Sequence, residues 1–556
     1  MFWPDAAANR INRRCAMASS NPSSFWRAGS KEEPRLAGCA PDTVPALSVL
    51  FLDPQRSIKL SKTLPPQPDY FVDLNIDQAV DTIIATRQEY NLAGVFREPL
   101  RAKDDVEYRH EVFHDLEEQP LQQALIAFAV EMRKMRNHLA QVEKLNYLYQ
   151  SKRWYIEAIL VYCDAVIALA QAMMASAAKS RALDGLLREY LSAYVTSAQF
   201  KTLNNEVRSL LSELDAITYS VRINGDTLTV RHYGDEADYS AVIEATFEKF
   251  RQGQVHDHRV KISEYPEMNH IEAKVLDFVA LLNPDSFQRL DDLHARSKNY
   301  LDATIAEFDR EIQFYLAYIE YMAGFSKIDR HFCYPCVSES DKHILARNCF
   351  DIALGKKLLL VGKSVVCNDI ELKNGERMIV VSGANQGGKT TFSRMFGQMF
   401  YLTSMGCPVP GTEASLLLSN EIFTHFERQE DINNLRGKLK DDLVRIHHIL
   451  RSATPRSVLV MNEIFTSTSL TDGLFLSEKV MKEAINLDVL GIWVTFIDEL
   501  ASYGESVVSM ISTVDPSQTL RTFKIIRASA TGRSYAMALA HKYALTPESI
   551  KERVQS

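Results

Sequence analysis

The sequence predicts an α/β domain at the C-terminal end, a mixed or parallel sheet flanked by helices around a phosphate loop. A mostly α-helical region with a small β insert precedes it. Three observations predict this. Met378 to Thr391 runs from an apolar strand through a glycine-rich turn into a helix start. Two further apolar runs, Ser457 to Met461 and Val489 to Ile497, follow with a helical stretch, Leu474 to Asn486, between them. Upstream, from Asp77 to about residue 340, apolar residues keep helical spacing, and Leu121 to Ala178 holds few Gly or Pro.

Length and composition bound the rest. The 556 residues suffice for two or three domains, and 46% hydrophobic with 24% charged residues is ordinary for a globular chain. No uncharged apolar run reaches the ~18 residues of a membrane span; Asp164 interrupts the longest candidate, Ala158 to Met174, so no membrane partner is expected. A net charge of −8 excludes a broadly basic nucleic-acid coat and leaves room for a local basic surface. Eight cysteines without a framework suit a reducing cytoplasm. The expected divisions are a disordered 1–46, a helical core or lever region 47–340 with a β insert at about 216–265, and the phosphate-loop (P-loop) domain 341–556.

The first 46 residues are rich in Ser, Pro, Ala and Arg and lack periodicity. Arg10, Arg13 and Arg14 have no apolar run behind them to make a targeting signal, and Met17 is an alternative start. Ser48 to Leu52 reads as a short strand or turn. Leu301, Ile305, Phe308, Ile312, Tyr315, Ile319 and Met322 alternate by four and three, one apolar stripe about 30 Å long on a helix. That stripe suits a bundle helix or a long lever. Tyr219 to Arg231 has two β-rich arms about Asn224-Gly225, the sequence of a type I′ hairpin. Arg222 and Arg231 there suit solvated strands or phosphate contacts. The stretch 252–265 adds His256, His258, Arg259 and Lys261 as an exposed loop or a small basic contact. Cys333 and Cys336 form C-x-x-C, but His343 and Cys349 do not complete a zinc spacing, so a strand with incidental cysteines is the expectation.

The phosphate loop carries the chemistry. Gly383, Gly388, Lys389 and Thr390 fill G-x-x-x-x-G-K-[ST]. Glycines let successive N–H groups curl inward onto phosphate oxygens, and the helix behind adds its positive N-terminal end. Lys389 reaches the outer phosphates and the Thr390 hydroxyl sits on magnesium, so ATP and Mg2+ are the expected cofactors. The strand ending Asn462-Glu463 stands where such domains place Asp-Glu, the first holding the metal through water and the second polarising the attacking water. Asn462 keeps an amide oxygen and brings no charge. The loop from Ile464 to Gly473 is rich in Ser and Thr.

The run Gly383 to Thr390, then Asn462 to Gly473, then Thr531 to Ala540, resembles the ATPase domain of the MutS family of DNA mismatch repair proteins over about 350–553. The helical region resembles that family's core and levers more loosely, over about 70–340. The resemblance implies a nucleotide site of Gly383, Ala384, Asn385, Gln386, Gly387, Gly388, Lys389, Thr390 and Thr391, with Asn368 a further contact. It implies Lys389 and Glu463 as catalytic groups, and Thr390 with Asn462 on Mg2+. Asp472 would lie in a loop facing a partner subunit.

The chain departs from the family's pattern at four places. The acid before Glu463 is Asn462. The signature hydroxyl that reaches the partner's nucleotide would fall on Gly437-Lys438-Leu439, where Lys438 offers charge instead. The family's His after the third strand is Phe496, and no mismatch-reading domain with a Phe-x-Glu wedge is expected before the helices. The resemblance implies an ATPase acting as a homodimer on duplex or branched DNA, with weak mismatch preference. The alternatives are a nucleotide-gated clamp with negligible turnover, or levers that grip RNA or protein.

Overall fold

The computed structural model describes residues 47–234, 239–248, 268–383, 387–427, 437–514 and 521–530, with short pieces between 545 and 553. The expectations for residues 1–46, the stretch 252–265, Ala384, Asn385, Gln386 and the run Thr531 to Ala540 lie outside the described residues. By internal packing the chain forms two compact units. One holds Ala124–Ala175 and Glu189–Ala306; the other holds Val44–Gln123, Ser176–Arg188 and Glu307–Ser556. These bounds do not follow the expected division at 340: helices on both sides of the helical region share a unit with the phosphate loop. The divisions fall inside two helices, Gln119–Val142 and Ala303–Ala323.

Among the described residues the smaller unit is helical with one hairpin. Its longest helix, Leu148–Ala175, buries Ile156, Ile159, Tyr162, Val166, Leu169 and Met173. They pack against helices Glu189–Thr196, Ala198–Asp215 and Pro284–Arg296. Leu148–Ala175 is long and apolar enough to cross a membrane by length and composition, and half of its most apolar window is buried within the protein. Polar caps set the neighbouring helix starts. Ser197 accepts from the Phe200 N–H, and Asn269 with Glu272 forms a capping box. The predicted hairpin is present as Tyr219–Asn224 and Thr227–His232, but its turn is shifted by one residue. Asn224 pairs with Thr227, which leaves Gly225-Asp226 as the two-residue loop. Only Gly225 of these takes positive φ, at 63°. Glycine at the first loop position is the pattern of a type II′ turn, which corrects the I′ expectation.

In the larger unit the segment 47–51 is buried and held by side chains from distant helices. Tyr108 donates to Ser48 O at 2.7 Å and Tyr315 to Val49 O at 2.5 Å. Arg109 donates from Nε to Leu50 O at 3.0 Å and from Nη1 to Met405 O at 2.7 Å. Glu311 accepts from Ser48 Oγ and Val49 N, both at 2.6 Å. The helix supplying Glu311 and Tyr315, Ala303–Ala323, is buried on nearly every side between Thr304 and Tyr318. The single stripe predicted there is therefore only part of its apolar contact, and the bundle reading describes this helix.

The site is built on a six-stranded sheet of β1 (Met378–Ser382), β2 (Glu421–Phe426), β3 (Ser457–Asn462), β4 (Leu490–Val494), β5 (Val507–Val514) and β6 (Arg521–Arg527). The order is β2-β3-β4-β1-β5-β6, parallel except for β6. Strands β1, β3 and β4 are buried throughout, as their unbroken apolar runs require. On one face, helices α2 (Lys438–Ser452) and α3 (Leu470–Asn486) bury Ile446, Ile449, Val480 and Met481. These pack against Met378, Leu459, Met461 and Trp493. The alternate strand residues face the other way, where α1 (Lys389–Ser404) packs on β3 and β4. The fold is the expected one: helices first, then a mixed, largely parallel sheet with a phosphate-loop helix.

Candidate nucleotide site

The turn after β1 depends on backbone that only glycine holds without strain. Gly383 has φ 108°, and a Cβ there would meet Ser512 Oγ at 2.7 Å. Gly388 caps α1 at φ 91°, and a Cβ there would touch the Phe523 ring at 3.6 Å. Gly387, beside it, is buried. Behind this turn, α1 begins with Lys389, so its free N–H groups and positive end point at the turn.

Lys389 is buried, at 4% exposure. Its Nζ donates to Gly383 O at 2.6 Å and lies 4.6 Å from the centre of the Phe496 ring. Burial pulls the lysine below its ordinary pKa, and the charges of Glu463 and Asp498 oppose that pull. Thr390 Oγ1 donates to Asn462 Oδ1 at 3.0 Å. The helix start and the end of β3 thus bring a hydroxyl and an amide oxygen together. Glu463 follows Asn462 in the left-handed region, at φ 54°, and Phe465 at φ 60°. Non-glycine residues held there concentrate where function requires a particular side-chain direction. The Glu463 N–H donates to Val494 O at 2.9 Å, which fixes the turn. Burial pushes the Glu463 carboxyl above its ordinary pKa; Lys389 lowers it and Glu427 raises it further.

A cavity of about 520 Å³ opens over this cluster. Gly388, Lys389, Thr390, Thr391 and Glu463 line it. Leu354, Leu358, Val365, Phe392, Met395 and Phe523 add apolar lining, and Asp351, Lys363 and Ser364 further polar groups. Asn368 borders the cavity as well, but its amide is engaged: Nδ2 donates to Phe523 O at 3.2 Å and Oδ1 accepts from Ile525 N at 2.8 Å. It therefore ties β6 against the strand Asn368–Leu372 and holds Phe523, which has φ 57°, at the cavity wall. Sequence reasoning missed Phe523 because no local motif marks it; only the pairing of β6 brings it to Gly388.

Two expected residues sit otherwise than predicted. Asp472 is not in a loop. It lies in the first turn of α3, where Ser469 Oγ caps its N–H at 3.1 Å and donates to its carboxylate at 2.7 Å. The Ser-x-x-Asp spacing marks that helix start, which lies four residues before the predicted Leu474. Lys438 opens α2 and pairs with Glu427, whose Oε1 also accepts from Thr466 Oγ1 at 3.4 Å. The Gly437 cap carries no side-chain hydrogen bond.

Comparison with known proteins agrees with this geometry. Residues 379–556 match the family model MutS domain V. The DNA mismatch repair protein MutS of Chlorobaculum tepidum is 23% identical over 499 residues, 82% of this chain and 55% of that protein. The MutS of Shouchella clausii is 24% identical over 300 residues, 52% of this chain and 33% of that protein. The MutS of Caldicellulosiruptor saccharolyticus is 26% identical over 251 residues, covering 43% and 28%. The chain spans between about a quarter and about half the length of these curated relatives. Residues 379–556 thus match MutS domain V, and the chain is similar to distant DNA mismatch repair proteins MutS over much of its length.

Proposed function

We propose that the protein is an ATP-dependent DNA-binding protein that works as a homodimer on duplex or branched DNA, in mismatch repair or a related repair or recombination process. The observation that carries the reading is the convergence of Lys389, Thr390 and Glu463 on one cavity, with Asn462 bonded to Thr390 behind it. Triphosphate oxygens would meet the Lys389 ammonium, the α1 N-terminus and the turn from Gly383 to Gly388. The apolar side chains of the lining would take the base. Thr390 Oγ1 and Asn462 Oδ1 are the oxygens that would hold Mg2+. Both are hard donors of the kind that ion takes, and their mutual hydrogen bond shows that they already converge. When bound, the ion would neutralise charge on the phosphates. Glu463, with its carboxyl pushed up by burial, would orient and deprotonate water.

ATP binding would then bias the helical levers between two arrangements, with Lys438 and Asp472 facing the partner subunit. DNA contacts would be dominated by phosphates, so affinity would fall steeply with salt. The free cysteines suit a cytoplasmic setting.

Nucleotide-binding titration tests the site. Lys389→Ala is expected to abolish binding of ATP; binding at the parental affinity would remove the reading. A second reading draws on Asn462, which brings no charge to the metal, and on the missing hydroxyl near Lys438: a nucleotide-gated clamp with negligible turnover. Steady-state hydrolysis with and without DNA separates the two. Turnover above about 0.01 s⁻¹ favours the enzyme. Binding across homoduplex, mismatched and branched DNA and structured RNA, over a salt series, tests the ligand.

A further inference from the structure

Asn462 leaves the end of β3 without the carboxylate a phosphate-bound divalent cation usually finds, since Thr390 and Asn462 present only neutral oxygens. The strand beside it carries one. The parallel register of β2 on β3 ends with Phe426 opposite Asn462. The next residues, Glu427 and Glu463, therefore leave neighbouring strands at the same edge of the sheet. Two contacts hold the Glu427 carboxylate there. Thr466, from the loop after Glu463, donates to Oε1 at 3.4 Å, and Lys438 at the start of α2 pairs with the same oxygen. Its charge also reaches the Glu463 carboxyl.

We propose that Glu427 is a positioning residue that supplies, to a Mg2+ held at Thr390 and Asn462, the negative charge absent at position 462. The proposal rests on the nucleotide-and-cation reading above. Lys438 shares this carboxylate, so Glu427 acts most strongly on the cation when Lys438 leaves it for a phosphate. No sequence motif points to Glu427; it follows from the strand register and from the identity of residue 462.

The test titrates Mg2+ against binding of a fluorescent ATP analogue, mant-ATP, to the full chain. Glu427→Gln is expected to raise the Mg2+ concentration for half-maximal binding about fivefold, the scale of one partly exposed charge. Asn462→Asp in the same chain is expected to bring it back to within about twofold of the parent. A residue that merely anchored Lys438 and Thr466 would give no such rescue. An unchanged Mg2+ requirement in Glu427→Gln, or a double variant as weak as the single one, overturns the proposal. So does a larger shift from Asp498→Asn. Glu427 is exposed, and an unchanged urea midpoint for Glu427→Gln separates loss of charge from loss of fold. If Lys389→Ala binds mant-ATP as the parent does, the nucleotide reading falls and takes this one with it. If Lys389→Ala loses binding while Glu427→Gln keeps the parental Mg2+ requirement, only the role of Glu427 falls.

Discussion

Around residues 47–51 the larger unit buries Glu311, Arg109, Tyr108 and Tyr315, and each exchanges hydrogen bonds with buried backbone. At the mouth of β1 the same unit buries Lys389 and half-buries Glu463 under different terms. The lysine donates to one carbonyl of its own loop and faces an aromatic ring, and the Glu463 carboxyl has no hydrogen bond among the described residues. Burial shifts pKa values in both places. In the first, the polar groups bond to buried backbone and tie distant segments together, with Arg109 Nη2 left without a hydrogen bond. In the second, the two charges act on each other across a cavity wall, and the Glu463 backbone is held at positive φ. A buried ionisable group is therefore no sign of function by itself; one that lines a cavity beside a strained turn is a candidate.

This contrast is broken most sharply by asking each region for the other's phenotype. Glu463→Gln is expected to lower any ATP turnover by about 100-fold or more, with mant-ATP binding retained. It should move the urea midpoint by less than the equivalent of about 1 kcal/mol. Turnover at the parental rate would place the water-activating group elsewhere. Arg109→Ala should do the reverse. It strips two buried carbonyls of their donor and empties a large side-chain volume between Phe51 and Phe314. A loss of about 3–5 kcal/mol is expected. An Arg109→Ala chain as stable as the parent would mean that the segment 47–51 is held by its apolar contacts alone.

A smaller effect is expected from pH. Burial, and then the charge of Glu307, raise the Glu311 carboxyl to about 7. In the unfolded chain it titrates near the ordinary ~4.3. A folded pKa above the unfolded one favours the protonated native state, so this contribution is complete below the unfolded value. It is lost as pH rises through the window up to about 7. Urea midpoints at pH 5 and pH 7.5 should fall toward the higher pH, by an amount on the order of 1–3 kcal/mol. Glu311→Gln should flatten that fall. An equal fall in both proteins would assign it to other groups.

How far each region is readable in sequence follows from the same difference. The strand, turn and helix from Met378 to Ser404 and the runs of β3 and β4 are legible because short stretches encode them: unbroken apolar residues, glycines at fixed offsets, a helix behind. Thr390 and Asn462 could be paired in advance because the motif implies it. Phe523 and Glu427 could not. Each reaches the site through the register of a neighbouring strand, and register is settled by long-range packing. Arg109 was invisible for a related reason. An arginine on a helix with two acids in its first turn reads as a solvated charge, yet it is fully buried between Leu50 and Met405, segments more than 350 residues apart. The hairpin turn moved by one residue because Asn-Gly and Gly-Asp both satisfy a two-residue loop, and pairing chose between them.

Asp472 offers the mildest test and the one that best sharpens the comparison, since it could belong to either class. Its carboxylate is matched within its own helix start, accepting from Ser469 Oγ at 2.7 Å, and it complements the positive end of α3. If that is its whole role, Asp472→Asn loses the favourable charge and keeps most of the hydrogen bonding. The cost would then be a few tenths of a kcal/mol, up to ~1. Nucleotide-dependent association, followed by sedimentation with and without a non-hydrolysable ATP analogue, would stay as in the parent. If the residue also faces the partner, the stability change is the same and the association is lost. Ser469→Ala separates the two further: it removes the cap at a cost of about 1 kcal/mol while leaving the carboxylate in place. Association that survives Ser469→Ala and fails in Asp472→Asn would make this matched acid a working group of the assembled protein, and satisfied hydrogen bonds would then no longer mark a residue as purely structural.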